Sequence, residues 1–108
     1  MIYKIDITVQ AKVDLRSIYE YIAFTLLAPE SAVGQLDRLE EGIMGLNEMP
    51  MRFKKYESEP WKSRDMHIMP IDNFVVLYTP NEETGVVTIN RVMYSGRNIN
   101  DQLSENNV

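Results

Sequence analysis

Cysteine is missing from this sequence of 108 residues, and histidine and tryptophan occur once each. Without cysteine, the protein has no disulfide, no thiolate metal site and no cysteine nucleophile. The sequence also lacks an N-terminal charged segment followed by an apolar run, and no apolar stretch reaches the about 20 residues of a membrane helix. We therefore expect a cytoplasmic protein without a signal peptide or a membrane span.

Positive charge is also scarce, since 11 basic residues stand against 16 acidic ones and the net charge is −5. Broad nonspecific binding to nucleic acid depends on cationic side chains that displace counterions, so an acidic chain argues against it. Residues 51–79 are the exception, with five bases and four acids. The five cations of this basic island are Arg52, Lys54, Lys55, Lys62 and Arg64.

The strongest structural pattern lies in residues 73–97. Two runs of β-branched and aromatic residues flank a polar loop that begins at Pro80 and ends at Gly85, which predicts a β-hairpin. Because both runs are almost continuously apolar, their strands are expected at the centre of a sheet with both faces covered. A chain of 108 residues forms one domain, so the rest of residues 1–108 must cover this hairpin.

The first half of the chain predicts one strand and two helices. Residues 3–9 alternate between apolar and polar side chains, as an edge strand with one buried face does, and Thr8 is a candidate N-cap. Pro29 fits the first turn of the second helix, and the short connection predicts an antiparallel helical hairpin. The apolar stripes of the two helices are Ala11, Leu15, Ile18, Ile22 and Leu26, then Ala32, Leu36, Leu39, Ile43 and Leu46.

The remaining segments are less regular. Residues 52–56 and 64–69 are candidate short strands, and a turn is expected at 72–73. Trp61 is expected to anchor its polar loop by packing inward. Residues 98–103 are predicted to add one helical turn, whose two apolar residues face the core. The order is therefore β-α-α-β-β-β, an α+β fold in which the helical hairpin covers one face of a mainly antiparallel sheet of four or five strands.

Several motifs stand in this same order along the chain. The first helix reads Ala11-Lys-Val-Asp-Leu-Arg-Ser-Ile-Tyr-Glu-Tyr-Ile, and the second ends in Leu46-Asn-Glu-Met-Pro. The central strand reads Asn73-Phe-Val-Val-Leu-Tyr, and the last strand reads Ile89-Asn-Arg-Val-Met-Tyr-Ser-Gly-Arg-Asn. In their joint order these motifs resemble the RelE/ParE superfamily of bacterial type II toxins, and they cover nearly the whole chain.

The resemblance implies a small toxin that a cognate antitoxin protein holds inactive. In this superfamily an extended C-terminal segment of the antitoxin covers helix and sheet surfaces of the toxin. RelE-like members cut mRNA in the ribosome without a metal, whereas ParE-like members inhibit DNA gyrase. The resemblance therefore implies no metal, no cofactor and no membrane partner, and either DNA gyrase or the ribosome with its mRNA as the target.

The two branches differ in the chemistry that they require. Metal-free RNA cleavage needs a group that activates the 2′-hydroxyl, an acid for the leaving oxygen and cations for the phosphorane charge. The resemblance carries these catalytic roles over to Lys55 (or Lys54), Arg64, Arg97 and Tyr94 (or Tyr56). RelE-like toxins also have a terminal tyrosine or histidine, and residues 103–108 contain neither.

The long helical hairpin and the Tyr94-Ser-Gly-Arg-Asn ending resemble ParE-like members, and the acidic balance departs from the strongly basic RNA-cutting members, so a ParE-like inhibitor of DNA gyrase is favoured. A RelE-like ribosome-dependent mRNA endoribonuclease is the alternative, and a degenerate member that only binds antitoxin is a third. His67 is interpreted as a structural or surface histidine. Arg91 is interpreted as the partner of a buried acid, such as Asp6 or Asp14, or else as a contact for another molecule.

Overall fold

The computed structural model describes residues 1–96 and 98–106, with side chains described as far as Leu103. The elements of this range are β1 (Lys4–Ile7), α1 (Val9–Glu20), α2 (Pro29–Met44), β2 (His67–Ile71), β3 (Phe74–Asn81), β4 (Val86–Tyr94) and α3 (Ile99–Asn106). The sheet order is β1-β4-β3-β2, with β1 parallel to β4 and the other pairs antiparallel. The predicted α+β fold, with two helices on a mainly antiparallel sheet, is confirmed.

The predicted hairpin of β3 and β4 lies at the centre of the sheet, as expected from its continuous apolar runs. On one face Val76, Tyr78 and Ile89 pack against apolar residues of α1 and α2. On the other face Leu77 and Met93 pack in a second cluster, whose remaining buried members are Trp61, Met66, Val75 and Leu103. Both faces are therefore covered, which explains why polar residues hardly interrupt these strands.

The start of α1 follows the prediction closely. β1 is an edge strand, and Thr8 is the N-cap, because its side-chain oxygen accepts a hydrogen bond from the backbone N–H of Ala11 at 3.1 Å. The helix itself begins two residues before the apolar stripe, at Val9. The short connection between α1 and α2 and the Pro29 start of α2 are also confirmed.

Leu26 does not belong to the buried stripe, contrary to the prediction, since 55% of its surface is exposed. A π-helical turn, Tyr21–Thr25, follows α1 directly, and its wider winding is seen in the bond from Leu26 N–H to the carbonyl of Tyr21 at 3.0 Å. A wider turn needs more residues to return to the same face, so the four-residue step from Ile22 to Leu26 no longer points into the core.

The two short strands predicted before the hairpin are also placed differently. Residues 52–56 form no strand: Pro50–Arg52 is a 3₁₀ turn, and only Lys55 forms an isolated bridge, with His67. The strand expected at 64–69 is β2, which begins three residues later and runs through Pro70. Proline is tolerated there because β2 is the edge of the sheet.

The loop of the central hairpin is shorter than predicted. Pro80 lies in β3 opposite Val87, and the turn is confined to residues 82–85, where Gly85 has a φ of +68°. β2 pairs with β3 only as far as Tyr78, so no ladder on that side requires the N–H that proline lacks. The helix predicted after the hairpin is confirmed as α3, with Leu103 buried in the second cluster.

Tyr78 fastens the segment after α2 to the sheet. Its side chain is fully buried, and its hydroxyl donates to the carbonyl of Pro50 at 2.6 Å. The ring of His67 stacks on Tyr78 at 5.5 Å between centroids, and its Nδ1 lies 2.7 Å from the carbonyl of Phe53. His67 is thus a structural histidine, as predicted. Burial raises the pKa of Tyr78 to about 12.

The raised pKa of Tyr78 predicts a loss of stability in alkali. The unfolded chain releases this proton near pH 10, whereas the folded chain keeps it to about pH 12, so the stabilisation is complete below pH 10 and lost as pH rises through 12. In urea unfolding, the free energy of unfolding of the native chain should fall by roughly 2 kcal/mol more than that of Tyr78→Phe across this window. The exposed Tyr21→Phe should behave as the native chain does, and equal slopes for Tyr78→Phe and the native chain would contradict the prediction.

A groove and a cleft at the free end of the last strand

The outer edge of β4 is paired with β1 over only part of its length. The last pair between β1 and β4 is Ile7 with Ile89, whereas β4 runs on to Tyr94. The chain leaves the sheet at this point because Thr8 caps α1, and the Thr8 hydroxyl also lies 2.8 Å from the carbonyl of Ile89. In the described part of the chain, no strand pairs with residues 90–94 on this side.

The carboxylate of Asp14, on α1, takes the place of a neighbouring strand. It accepts hydrogen bonds from the backbone N–H of Val92 at 3.0 Å and from Nε and Nη2 of Arg91 at 2.7 and 3.0 Å. The two side chains are each only 10% exposed. Of the two acids proposed for Arg91, Asp14 is therefore the partner, while Asp6 is exposed on β1.

A β-bulge in β4 determines which way Arg91 faces. Leu77 pairs with Arg91 but the next residue, Tyr78, pairs with Ile89, so Asn90 is an extra residue in the ladder. An extra residue reverses the alternation of side chains beyond it. Val92 therefore packs towards the helices, and Arg91 is displaced to the opposite side, from which it reaches Asp14 around the free edge.

The larger of two recesses here, the β4 groove, lies between the helical hairpin and the far end of β4. Its volume is about 960 Å³. The helical wall contributes four apolar or aromatic side chains (Ile18, Tyr21, Ile22 and Leu26), and the sheet contributes Phe74, Val92 and Tyr94. Polar groups lie among them, notably Asp14, Gln35, Arg38 and Arg91. The groove thus offers an apolar strip with charged and polar groups beside it.

The smaller recess, the Arg64 cleft, has a volume of about 300 Å³ and lies at the start of α1. It is lined by Thr8, Gln10, Trp61, Arg64, Met66, Thr79, Asn90, Arg91 and Leu103. Arg91 is the residue that lines both recesses. Trp61 is 9% exposed and packs in the second cluster, which confirms that it anchors its loop.

The three catalytic candidates that lie among the described residues do not line a common recess. Arg64 is exposed in the Arg64 cleft, and no described carboxylate pairs with it. Tyr94 lines the β4 groove, half exposed, with its ring edge-to-face against Phe74 at 6.0 Å. Lys55 lines neither recess. Arg97 lies outside the described residues.

Lys55 is engaged by a carboxylate. Its Nζ lies 2.7 Å from Asp65, and this ammonium group holds the pKa of the Asp65 carboxyl below its usual value. The alternative tyrosine, Tyr56, donates its hydroxyl to the side chain of Asn100. These two side chains therefore tie their segment to neighbouring parts of the fold.

The recess-lining residues were mostly not identified from the sequence. The spacing of Ile18, Ile22 and Leu26 predicts a buried stripe rather than a recess, and Ile18 does pack against the core as well as lining the groove. Leu26 and Leu27 stand next to each other directly after the π-helical turn and are 55% and 81% exposed. That pair was the one sequence signal of an apolar surface here.

The described residues contain no group of three or more His, Asp or Glu side chains that could hold a metal ion. None of the described helices is long and apolar enough to cross a bilayer.

Solved structures share this fold. A chain of the chromosomal ParDE toxin–antitoxin system of P. aeruginosa superimposes with a TM-score of 0.70 at 19% identity, over 86% of this chain and 96% of that chain. A RelBE toxin–antitoxin complex from Mycobacterium tuberculosis gives 0.63 at 20% identity, over 87% and 99%. The free E. coli toxin RelE, in a mutant form, gives 0.61 at 16% identity, over 89% and 86%.

The fold is therefore that of the RelE/ParE toxins. The family model described as the ParE toxin of the type II toxin-antitoxin system parDE matches residues 5–99, and the chain belongs to this family. No curated protein sequence matches the chain significantly. The resemblance stated from the sequence is thus confirmed at the level of the superfamily and of a type II toxin.

Removal of the Asp14 carboxylate should destabilise the fold. In Asp14→Ala the buried guanidinium of Arg91 loses its counter-charge, so we expect the free energy of unfolding to fall by about 3 kcal/mol. The measurement is unfolding in urea, monitored by circular dichroism. Asp6→Ala removes an equal charge from an exposed site and should change stability by less than about 0.5 kcal/mol. Similar losses in the two variants would mean that leaving the Arg91 guanidinium without its counter-charge costs no more than losing an exposed carboxylate.

Proposed function

We propose that this chain is a growth-inhibiting toxin whose cognate antitoxin binds along the β4 groove. The observation that supports this is the apolar strip beside an unpaired strand edge, since bound peptides use main-chain hydrogen bonds at such an edge and apolar pockets for side chains. The N–H of Val92 is already bonded to Asp14, so the Tyr94 end of β4 supplies the edge, and Tyr21 and Leu26 supply exposed apolar surface. Related solved structures contain toxin–antitoxin complexes, which fits an antitoxin as the occupant.

We further propose that the toxin acts by binding a protein, DNA gyrase, in the cytoplasm. The supporting observation is the separation of the catalytic candidates: Arg64 and Tyr94 line different recesses, and Lys55 is paired with Asp65. RNA cleavage needs its acid, base and cations within hydrogen-bond reach of one phosphate. Inhibition through a protein surface has no such requirement. The net charge of −5 also disfavours extended contact with a polyanion.

One observation favours the second candidate, ribosome-dependent mRNA cleavage. Arg64 is exposed in a cleft and has no described carboxylate partner, so its charge is available to a phosphate. An RNA-cutting toxin would use it with Arg97 and a nearby tyrosine as the active group.

Pulse labelling during induced expression separates the two targets. For a gyrase inhibitor we expect DNA synthesis to fall first, with DNA-damage signalling, while protein synthesis continues. Arg64→Ala should keep this toxicity, because truncation of a single exposed side chain usually costs a protein–protein contact little binding energy. A prompt stop of translation with cleaved messages, abolished by Arg64→Ala, would instead assign the chain to mRNA cleavage. No growth defect at verified expression would leave only antitoxin binding.

The antitoxin site is tested by a pair of leucine variants. Leu26 lines the β4 groove and Leu27 does not, although both are exposed. Leu26→Asp places a charge on the apolar strip and should weaken capture of the antitoxin by at least about tenfold, measured by titration of the purified toxin with the antitoxin encoded beside it.

Leu27→Asp is the matched control. It adds the same charge at the next position, and its φ of 55° suits aspartate better than leucine, so folding is not compromised. Equal affinity of both variants and the native chain would place the antitoxin elsewhere.

A further inference from the structure

The Arg64 cleft lies at the positive end of a helix. Thr8, the N-cap of the 12-residue α1, and Gln10, in its first turn, both line the cleft. The first N–H groups of a helix have no acceptor within the helix, and together with the helix dipole they favour a negative charge nearby. A helix start alone would not define a site, but a second feature points to the same place.

That second feature is a buried guanidinium nitrogen without an acceptor. Arg91 is 8% exposed, and its Nη1 has no hydrogen-bond partner within the described residues. Asp14 binds the Nε and Nη2 side of the group, which leaves Nη1 at the opposite corner. Asp14 lines the β4 groove but not the cleft, whereas Arg91 lines both, so the cleft is the recess on the side of Arg91 away from Asp14. An unpaired charged donor is costly when buried.

The described charged side chains of the site leave a net charge of one positive unit, which one anion would neutralise. Arg91 and Arg64 contribute two positive charges, and Asp14 contributes one negative charge, so the sum is +1. The other polar residues of the lining are neutral (Thr8, Gln10, Thr79 and Asn90), and among the residues whose side chains are described the lining includes no carboxylate.

We propose that the Arg64 cleft binds one carboxylate, held by Arg91 and Arg64, and that an acidic side chain of the antitoxin supplies it. This rests on the proposed antitoxin site in the β4 groove: Arg91 lines both recesses, so a segment bound in the groove passes beside the cleft. A carboxylate fits better than a nucleic-acid phosphate because a polyanion would approach a chain of net charge −5. Trp61, Met66 and Leu103 offer apolar walls for the methylene groups of an acidic side chain.

Entry of the carboxylate requires a small rearrangement, since Nη1 is out of contact with solvent. Two side chains of the lining are held only weakly or are exposed, so they can change conformation. The amide of Gln10 is held only by a 3.4 Å bond to Asp14, and Arg64 is exposed. The bound anion thus displaces the Gln10 amide from Asp14 and draws Arg64 inward.

Trp61 provides the measurement, because it is the single tryptophan of the chain and lines the cleft. The native chain is titrated with acetate and, separately, with dimethyl phosphate, two monoanions, at constant ionic strength. We expect a saturable change in Trp61 fluorescence and in its indole NMR signal with acetate. Arg64→Gln should weaken this binding about threefold, as loss of an exposed ion pair does. Gln10→Glu should abolish it, because its own carboxylate fills the site.

The control is Arg16→Gln, which removes an equal charge from an arginine that pairs with Glu20 and does not line the cleft; it should bind acetate as the native chain does. No saturable change, or equal weakening by Arg16→Gln, would overturn the proposal. Saturation by dimethyl phosphate alone would overturn the choice of a carboxylate. These outcomes need no antitoxin and no toxicity, so they are independent of the leucine variants and of pulse labelling.

Discussion

The buried pair of Asp14 and Arg91 is the interaction on which this end of the molecule depends. One carboxylate joins α1 to β4, replaces the missing strand at Val92 and neutralises an arginine that the sheet has buried. Such a pair adds little net stability compared with apolar residues, but half of it alone is strongly unfavourable. The fold therefore keeps the two residues together, and their geometry fixes how α1 sits against the free edge.

The same pair sets the character of both recesses. On the groove side, Asp14 satisfies two guanidinium nitrogens and one backbone N–H, which leaves the adjoining surface mainly apolar. Away from Asp14, Nη1 has no acceptor among the described residues, which leaves positive potential beside the start of α1. Arg91 thus lies between the apolar surface of the β4 groove and the positively charged Arg64 cleft. A partner that contacts both recesses gains specificity as well as contact area.

The fold was predictable wherever the determining pattern is local. Thr8 caps a helix because of its own side chain, and the β3–β4 hairpin follows from continuous apolar runs that only a doubly covered strand tolerates. Leu26 was misplaced because its spacing is helical, whereas the π-helical turn Tyr21–Thr25 depends on how the helical hairpin closes. Residues 52–56 were misplaced because the Arg52 guanidinium caps backbone carbonyls of Glu48 and Met49, which favours a turn.

The site was less predictable, since its residue types are visible in the sequence but their placement depends on one inserted residue. Strict alternation from Ile89 would point Arg91 towards the helices and Val92 away from them. The extra residue Asn90 reverses both, so Val92 enters the core and Arg91 reaches Asp14 around the edge. Nothing in Ile89-Asn-Arg-Val marks the bulge, because its cause is the pairing with β3 and the early end of β1. An arginine and an aspartate 77 positions apart become partners only once that register exists.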